Sequence, residues 1–180
     1  MKTFFREILI TLTLAVVVFF VIQTTVQTFV VMGASMEPSL HDGQRLLVNK
    51  AVYHLSEPER GDVIVFQLTK RHTDYVKRII AKPGDTVEVK NGVVYVNGSP
   101  LEESYIKNPP SYTIEQQKIL RNTYFVLGDN RDNSDDSHNG WVVSHQNIIG
   151  KAWLLIWPPN EWGLDPNYPL QEQLVGAVSK

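Results

Sequence analysis

The longest apolar run of the chain lies at its N-terminus. No charged residue occurs from Ile8 to Met36, and residues 8–27 supply the roughly 20 apolar-rich positions that a membrane-spanning helix needs. Cleaved secretory signals also carry basic residues before an apolar stretch, but that stretch is usually about 7–15 residues long. We therefore favour an uncleaved anchor over residues 1–27 and a separate domain over residues 28–180.

The charges that precede this run predict its orientation. Lys2 and Arg6 lie on the short N-terminal side, and basic residues mark the cytoplasmic side of a single span. We expect a cytoplasmic N-terminus and an extracytoplasmic domain that lies next to the lipid bilayer.

Beyond the run, apolar and polar residues alternate in short segments bounded by Gly, Pro, Asn and Asp, a pattern typical of β-strands. The clearest signal is Thr86 to Asn97, where two alternating runs flank Asn91-Gly92, the pair that favours a type I′ hairpin. Residues 101–121 are predicted to be surface loop with at most a short strand, and the tail from Asn160 is left unassigned. The pattern predicts a mostly β domain, built of antiparallel sheet, with one N-terminal transmembrane helix. The other predicted strands cover residues 28–31, 44–49, 62–67, 74–81, 124–127 and 148–157.

Composition excludes several functional classes. A net charge of −2 and a pI near 6.2 leave no basic field for nucleic acid. The chain has no cysteine, which excludes disulfides, thiolate metal sites and a cysteine nucleophile. Its five histidines show no zinc-binding spacing, so we expect neither a metal nor another cofactor.

Directly after the apolar run, small residues flank one serine. Residues 33–39 are Gly-Ala-Ser-Met-Glu-Pro-Ser, and Pro38 favours a turn next to Ser35. A serine in such a loop is most often a simple turn residue. With little to shield its hydroxyl, and close to the end of the anchor, Ser35 is also a candidate nucleophile.

Lys77 lies inside a predicted strand. Alternation places Tyr75, Lys77 and Ile79 on one face, and a lysine there could simply extend to solvent past the sheet edge. If apolar neighbours bury it instead, desolvation disfavours its charged form and lowers its pKa. A neutral amine can then accept a serine proton, which is the Ser–Lys variant of nucleophilic catalysis.

Residues 128–140 form the most polar stretch of the chain. Asp132, Ser134 and Asp136 alternate as calcium ligands do, but the segment lacks Gly at the sixth and Glu at the twelfth position counted from Asp132. A solvated acidic loop, or a self-bonded loop that holds groups in fixed geometry, is the alternative. His72 and His138, with the many aspartates, also leave a Ser–His–Asp triad open.

Four blocks, in this order and spacing, resemble type I signal peptidase, a family of membrane-bound Ser–Lys serine proteases. They are GASMEPSL (33–40), RGDVIVF (60–66), DYVKRIIAKPGD (74–85) and GDNRDNSDDS (128–137). The resemblance covers roughly residues 29–157. It implies a signal-peptidase-like β domain, a single-pass location in a bacterial-type plasma membrane, and removal of signal peptides from exported preproteins after Ala-x-Ala sequences. Preproteins and the bilayer are then the expected partners, and we expect a monomer.

The resemblance also assigns roles residue by residue. Ser35 would be the nucleophile, with its backbone N–H in the oxyanion hole, and Lys77 would be the general base. Ser134 would hydrogen-bond and orient that lysine, and Asp136 would brace the loop together with a basic partner. The residues that would line shallow pockets for small substrate side chains are Phe29, Val31, Met36, Leu40, Val65, Tyr75 and Val76.

The chain departs from the family pattern at two positions. Gly33 stands where some members have a serine that adds a second oxyanion donor. His138 stands where many have an arginine, and because histidine is mostly neutral above a pKa of about 6.5 we expect a weaker or pH-dependent brace on Asp136. Two other functions share part of the pattern. A self-cleaving repressor-type Ser–Lys peptidase is disfavoured by the anchor and by the absence of a DNA-binding segment. A catalytically dead, membrane-tethered binding module would not need both Ser35 and Lys77.

Overall fold

The computed structural model describes residues 2–68 and 73–164, together with residues 168, 170, 173 and 174. It begins with a long helix, α1 (Lys2–Thr25). Four threonine hydroxyls on α1 donate to backbone carbonyls one turn earlier, which satisfies these polar groups within the helix itself. By length and composition, α1 is the one helix of the described residues that could cross a membrane.

Strands make up most of the remaining chain. Strand β1 (Val26–Val30) follows α1 without a connecting residue. The later elements are β2 (Arg45–Asn49), α2 (Val52–Leu55), β3 (Val63–Gln67), β4 (Asp74–Ala81), β5 (Thr86–Lys90), β6 (Val93–Val96), β7 (Ser99–Pro100), β8 (Ile114–Lys118), β9 (Thr123–Leu127), β10 (Val143–Ser144), β11 (Ile148–Trp157) and β12 (Gly163–Leu164).

These strands form two antiparallel sheets. The larger sheet has the order β1-β2-β11-β3-β4-β9-β10, with β12 paired to β11, and the smaller has the order β7-β6-β5-β8. The hairpin of β5 and β6 turns at Asn91 and Gly92, whose φ values of +53° and +77° are those that a type I′ turn requires. The predicted hairpin is therefore confirmed.

Alternation along the strands of the larger sheet separates two apolar clusters, since successive side chains point to opposite faces. One cluster packs beneath the loop that follows β1 and consists of Val31, Met36, Leu40, Leu46, Val48, Val63, Val65 and Ala152. The other consists of Ile64, Phe66, Ile79, Tyr124, Val126 and Val143. A third cluster joins the apolar residues of β5 and β6 in the smaller sheet to those at the ends of β4 and β9 in the larger one, and Leu170 and Leu174 complete it.

The mostly β, antiparallel fold is confirmed. The helix covers residues 2–25 rather than 8–27, because Val26 and Gln27 already pair with β2. Strand β8 is the short strand that the pattern allowed within residues 101–121, whereas α2, β10 and β12 have only two to four residues, too few to show a period. The domain boundary after residue 27 stays a prediction, and most of the tail after residue 164 lies outside the described residues.

Candidate active site

The loop between β1 and β2 carries Ser35. Two turns shape it, with Glu37 N–H donating to the Ala34 carbonyl at 3.2 Å and Leu40 N–H donating to the Met36 carbonyl at 2.9 Å. Met36 and Leu40 are fully buried in the cluster beneath the loop. The apolar side chains of the motif thus fix the loop to the core, while Ser35 stays partly exposed.

Lys77 lies in the middle of β4, opposite Ile64 of β3, and only 3% of it is exposed. Its Nζ donates to Ser35 Oγ at 2.7 Å and to the Val76 carbonyl at 2.9 Å. The register of the sheet therefore brings together the two residues that the sequence nominated for catalysis, although they are 42 positions apart.

Burial lowers the pKa of Lys77 from 10.5 to about 8, because desolvation disfavours the ammonium, and it does so although Asp136, Asp135 and Asp129 act in the opposite direction. With a pKa near 8, roughly half of the amine is neutral at pH 8 and roughly a tenth at pH 7. A freely solvated lysine would be neutral in well under about 1% of molecules at these pH values. The site therefore provides a usable proton acceptor next to Ser35.

The polar loop after β9 holds the Ser35 turn through its backbone carbonyls. Asn130 N–H donates to the Ser35 carbonyl at 3.1 Å, and Asn130 Nδ2 donates to the Ala34 carbonyl at 3.0 Å. A Cβ atom at Gly128 would overlap the Ser35 carbonyl and Ser134 Oγ. Glycine is thus required there, because the two loops meet backbone to backbone.

Asp136 is fully buried and braces this loop. Its Oδ2 accepts from Gly128 N–H at 2.8 Å, and its Oδ1 accepts from His138 N–H at 3.1 Å. The ring nitrogen Nδ1 of His138 lies 2.7 Å from the same Oδ1, and the ring stacks on Tyr112 at 4.5 Å. His138 therefore occupies the place expected for a basic partner of Asp136.

Ser134 does not make the hydrogen bond that the resemblance implied. Its Oγ is buried and has no hydrogen-bond partner in the described part of the chain. The Nζ of Lys77 donates instead to Ser35 Oγ and to the Val76 carbonyl. The role of Ser134 stays a prediction.

Among the described residues, the alternative sites find no geometric support. His138 contacts Asp136 and Tyr112 rather than Ser35, and His72 lies outside the described residues. Asp132 accepts from the N–H and the hydroxyl of Ser111, so its Oδ1 is engaged in loop structure. Among residues 2–68 and 73–164, no group of three or more His, Asp or Glu side chains is arranged to hold a metal ion.

A cleft of about 690 Å³ runs past Ser35 and Lys77 between β1 and the first half of β4. Of the residues nominated for substrate pockets, Phe29, Val31, Val65, Tyr75 and Val76 line it. Met36 and Leu40, also nominated, are fully buried in the core cluster beneath the loop and are not among the lining residues. The residues that sequence reasoning did not nominate are Gln27, Thr28, Val30, Met32, Leu46, Thr73, Asp74 and Asp135.

Both walls of the cleft have open backbone edges. Strand β1 pairs with β2 on one side and with no described strand on the other. Residues 74–77 of β4 pair with β3, whereas β9 joins β4 only from Arg78 onward. An extended peptide could therefore hydrogen-bond to either wall.

Sequence reasoning missed the ion pairs behind the site. Arg78 and Asp129 form a bidentate pair at 2.9 and 2.7 Å in which neither side chain is exposed. Arg131 donates to both carboxylate oxygens of Glu103, each at 2.6 Å, and to the Gly128 carbonyl at 3.1 Å. An arginine within the apolar strand β4 was the available signal, since a buried charge requires a partner.

The chain is similar to known signal peptidases. The family model described as "Signal peptidase, peptidase S26" matches residues 4–157. Signal peptidase I of Leptolyngbya laminosa is 45% identical over 145 residues, which cover 74% of this chain and 71% of that protein. Signal peptidase IB of Staphylococcus aureus (strain COL) is 35% identical over 181 residues, covering 90% and 94%.

A crystal structure of a signal peptidase I from Enterococcus faecalis V583 aligns with 29% identity and a TM-score of 0.49, covering 53% of this chain and 97% of that one. The family model spans most of the chain, and the relatives match more than two thirds of it. The chain therefore belongs to the signal peptidase I family of serine peptidases, peptidase S26, whose members cleave signal peptides.

Proposed function

We propose that this signal peptidase uses Ser35 as its nucleophile and Lys77 as its general base. The observation that carries the proposal is the 2.7 Å hydrogen bond from the buried Lys77 amine to Ser35 Oγ, in the wall of the cleft. This is the distance that proton transfer between a nucleophile and its base requires. The lowered pKa of about 8 supports the same assignment.

The reaction follows from these positions. Neutral Lys77 takes the proton of Ser35 Oγ while that oxygen attacks the scissile carbonyl, and the Ser35 N–H donates to the developing oxyanion. Lys77 then gives the proton to the leaving amine, which leaves an acyl-enzyme on Ser35. The lysine next takes a proton from water, whose oxygen attacks the ester. The acyl bond to Ser35 Oγ then breaks, Lys77 returns the proton to that oxygen, and the signal peptide is released. Gly33 N–H donates to Asp42 Oδ1 at 2.6 Å and is therefore not assigned to the oxyanion hole.

The cleft supports recognition of an extended peptide. The open edges of β1 and of residues 74–77 in β4 offer backbone groups on both sides. Because side chains alternate along an extended strand, two substrate residues separated by one would point towards Val31, Leu46 and Val65. We assign the preference for Ala-x-Ala sequences to these apolar residues.

Helix α1 is assigned as the membrane anchor. It has 24 residues, it is uncharged after Glu7, and its large apolar side chains are exposed, which suits contact with lipid. We assign its N-terminus to the cytoplasm, because Lys2 and Arg6 lie on the short N-terminal side. Trp153 and Trp157 are exposed on β11, two strands away from β1. Tryptophan is a residue type that is enriched at membrane interfaces.

The experiment is cleavage of a purified preprotein by the full-length protein in detergent micelles, with the cut site mapped by mass spectrometry. Ser35→Ala and Lys77→Met should each reduce cleavage to background. Ser39→Ala, a serine of the same loop, and Lys82→Met, a lysine just beyond β4, are the matched controls and should remain active. If the Ser35→Ala protein still binds the preprotein but does not cut it, the function of a pure binding module is also rejected. Wild-type cleavage by folded Ser35→Ala would falsify the proposal.

A further inference from the structure

The segment that carries Ser35 is closed at its base by a short ladder of hydrogen bonds. Val31 N–H donates to the Gln44 carbonyl at 2.8 Å, and Gly43 N–H donates to the Val31 carbonyl at 3.0 Å. Val31 thus pairs with both Gly43 and Gln44, so the one-to-one register of β1 and β2, in which Val30 faces Arg45, ends here. Beyond Val31, the next bond between the two arms of the loop joins Gly33 to Asp42.

At that position a side chain replaces the backbone ladder. Gly33 N–H donates to Asp42 Oδ1 at 2.6 Å, a short bond of the kind formed with a charged acceptor. Both residues are exposed, so this contact fills no core. It fixes the direction of one peptide group, two residues before Ser35.

Gly33 has little else to hold it. Its φ is +81°, a conformation that glycine adopts about as readily as the negative range. A Cβ atom at Gly33 would meet no described atom within 4 Å apart from its chain neighbours. Without the Asp42 carboxylate, the peptide group between Met32 and Gly33 would be free to change orientation.

The next residues are held from the other side. Asn130 binds the carbonyls of Ala34 and Ser35, so the turn of the nucleophile is supported at two ends, by Asn130 behind it and by Asp42 before it. Loss of one support would leave the turn attached to the core through Met36, but with a less defined Ser35 N–H and Oγ.

We propose that Asp42 is a positioning residue for catalysis, which holds Gly33 so that Ser35 is presented to Lys77 and to the scissile carbonyl. The proposal rests on the assignment of Ser35 as the nucleophile. Asp42 acts through the backbone and does not contact the reacting atoms. Its effect should therefore fall on kcat rather than on KM, because misplacement of the nucleophile weakens the transition state more than substrate binding.

The test uses the full-length protein in detergent micelles and a fluorogenic signal peptide with alanine at the first and third positions before the cut. Asp42→Ala should lower kcat about tenfold, the change expected for one charge-assisted hydrogen bond, with KM changed less than about twofold. Asp42→Asn keeps an oxygen acceptor for Gly33 N–H and should recover most of the loss. Glu115→Ala, an exposed acidic residue on β8, controls for the change in net charge.

Thermal unfolding separates positioning from folding. The proposal expects the unfolding midpoint of Asp42→Ala to stay within a few degrees of the wild type. Wild-type kcat in Asp42→Ala overturns it, as does an Asp42→Asn protein that is as slow as Asp42→Ala. A lower yield of folded protein with an unchanged kcat per folded molecule also overturns it. Ser35→Ala is measured in parallel: if it still cuts, the assignment of the nucleophile fails, whereas an inactive Ser35→Ala beside a fully active Asp42→Ala rejects the Asp42 proposal alone.

Discussion

Arg78 and Asp129 join β4, the strand that carries Lys77, to the polar loop after β9, whose Asn130 binds the Ser35 turn. Their bidentate pair is fully buried, Arg78 Nη1 also donates to the Gly61 carbonyl at 3.0 Å, and the guanidinium lies 4.2 Å from the Tyr105 ring. Residues next in sequence to this pair, Lys77 and Asn130, both contact the nucleophile segment. The pair thus fixes the spacing between β4 and the polar loop after β9.

Removal of one partner should therefore destabilise the fold strongly. Asp129→Asn leaves the Arg78 charge buried without a carboxylate, and such changes cost about 3–5 kcal/mol. Urea unfolding measures the loss. Glu59→Gln, which breaks the more exposed pair with Lys82, should change stability by at most about 1 kcal/mol. A loss in Asp129→Asn no larger than that of the control would contradict the structural role.

The rate of cleavage should depend on pH through Lys77. Because the neutral amine is the active form and its pKa is about 8, kcat/KM should rise with pH and reach half of its plateau near pH 8. Lys77→Arg should be inactive although its size is similar, since a guanidinium stays protonated. Lys82→Arg is the control and should keep the wild-type profile. Cleavage by Lys77→Arg at the wild-type rate would end the Ser–Lys assignment.

Stability should also depend on pH through Lys77, in a different window. The folded-state pKa of about 8 lies below the ordinary value of 10.5, so between these values the unfolded chain binds more protons and stability rises with pH. The penalty for the buried ammonium is complete below about pH 8 and absent above about pH 10.5, and amounts to roughly 3 kcal/mol. Lys77→Met should lose this rise, as measured by urea unfolding from pH 7 to 11. The Lys82→Met protein should retain it, and equal slopes in Lys77→Met and wild type would reject the burial argument.

Ser134 should matter after proton transfer. An ammonium has three hydrogens, and Ser35 Oγ and the Val76 carbonyl account for two of the acceptors. We expect Ser134 Oγ, buried and without a partner among the described residues, to accept the third. Ser134→Ala should then disfavour charged Lys77 and move the midpoint of the pH profile below that of wild type, with a reduced kcat and a change in stability below about 1 kcal/mol. An unchanged profile and kcat, with Ser144→Ala as the reference, would show that Ser134 only fills space.

Much of the fold follows from local pattern. The strand 74–81 and the strand 148–157 have the predicted bounds, because alternation or continuous apolar runs act within a few residues. The hairpin at Asn91-Gly92 was predictable for the same reason, since its turn needs positive φ at adjacent positions. The burial of Lys77 was one of two possibilities that the pattern of β4 left open, since a lysine on a strand can also reach solvent past the sheet edge.

What could not be predicted depends on contacts between distant segments. Nothing near Asn130 indicates that its amide binds Ala34, which lies 96 positions earlier. The choice of Asp129 as the partner of Arg78, 51 positions away, depends on how β4 and β9 pair. Met36 and Leu40 were assigned to the cleft from the resemblance, yet the turn of the loop directs both into the core. These contacts depend on how distant segments pack together, which a local sequence pattern does not indicate.

Helix α1 continues directly into β1, so the length of β1 fixes the distance between the end of the helix and the loop of Ser35. No residue separates Thr25 from Val26, and Lys50 N–H donates to the Thr25 carbonyl at 2.8 Å, which ties the end of the helix to the end of β2. The five residues of β1 then advance the chain by roughly 17 Å towards Ser35. With α1 as the proposed anchor, the height of the nucleophile above the bilayer is set by this one strand. The cut would then be chosen by distance from the end of the substrate's own apolar segment as well as by the shape of the pockets.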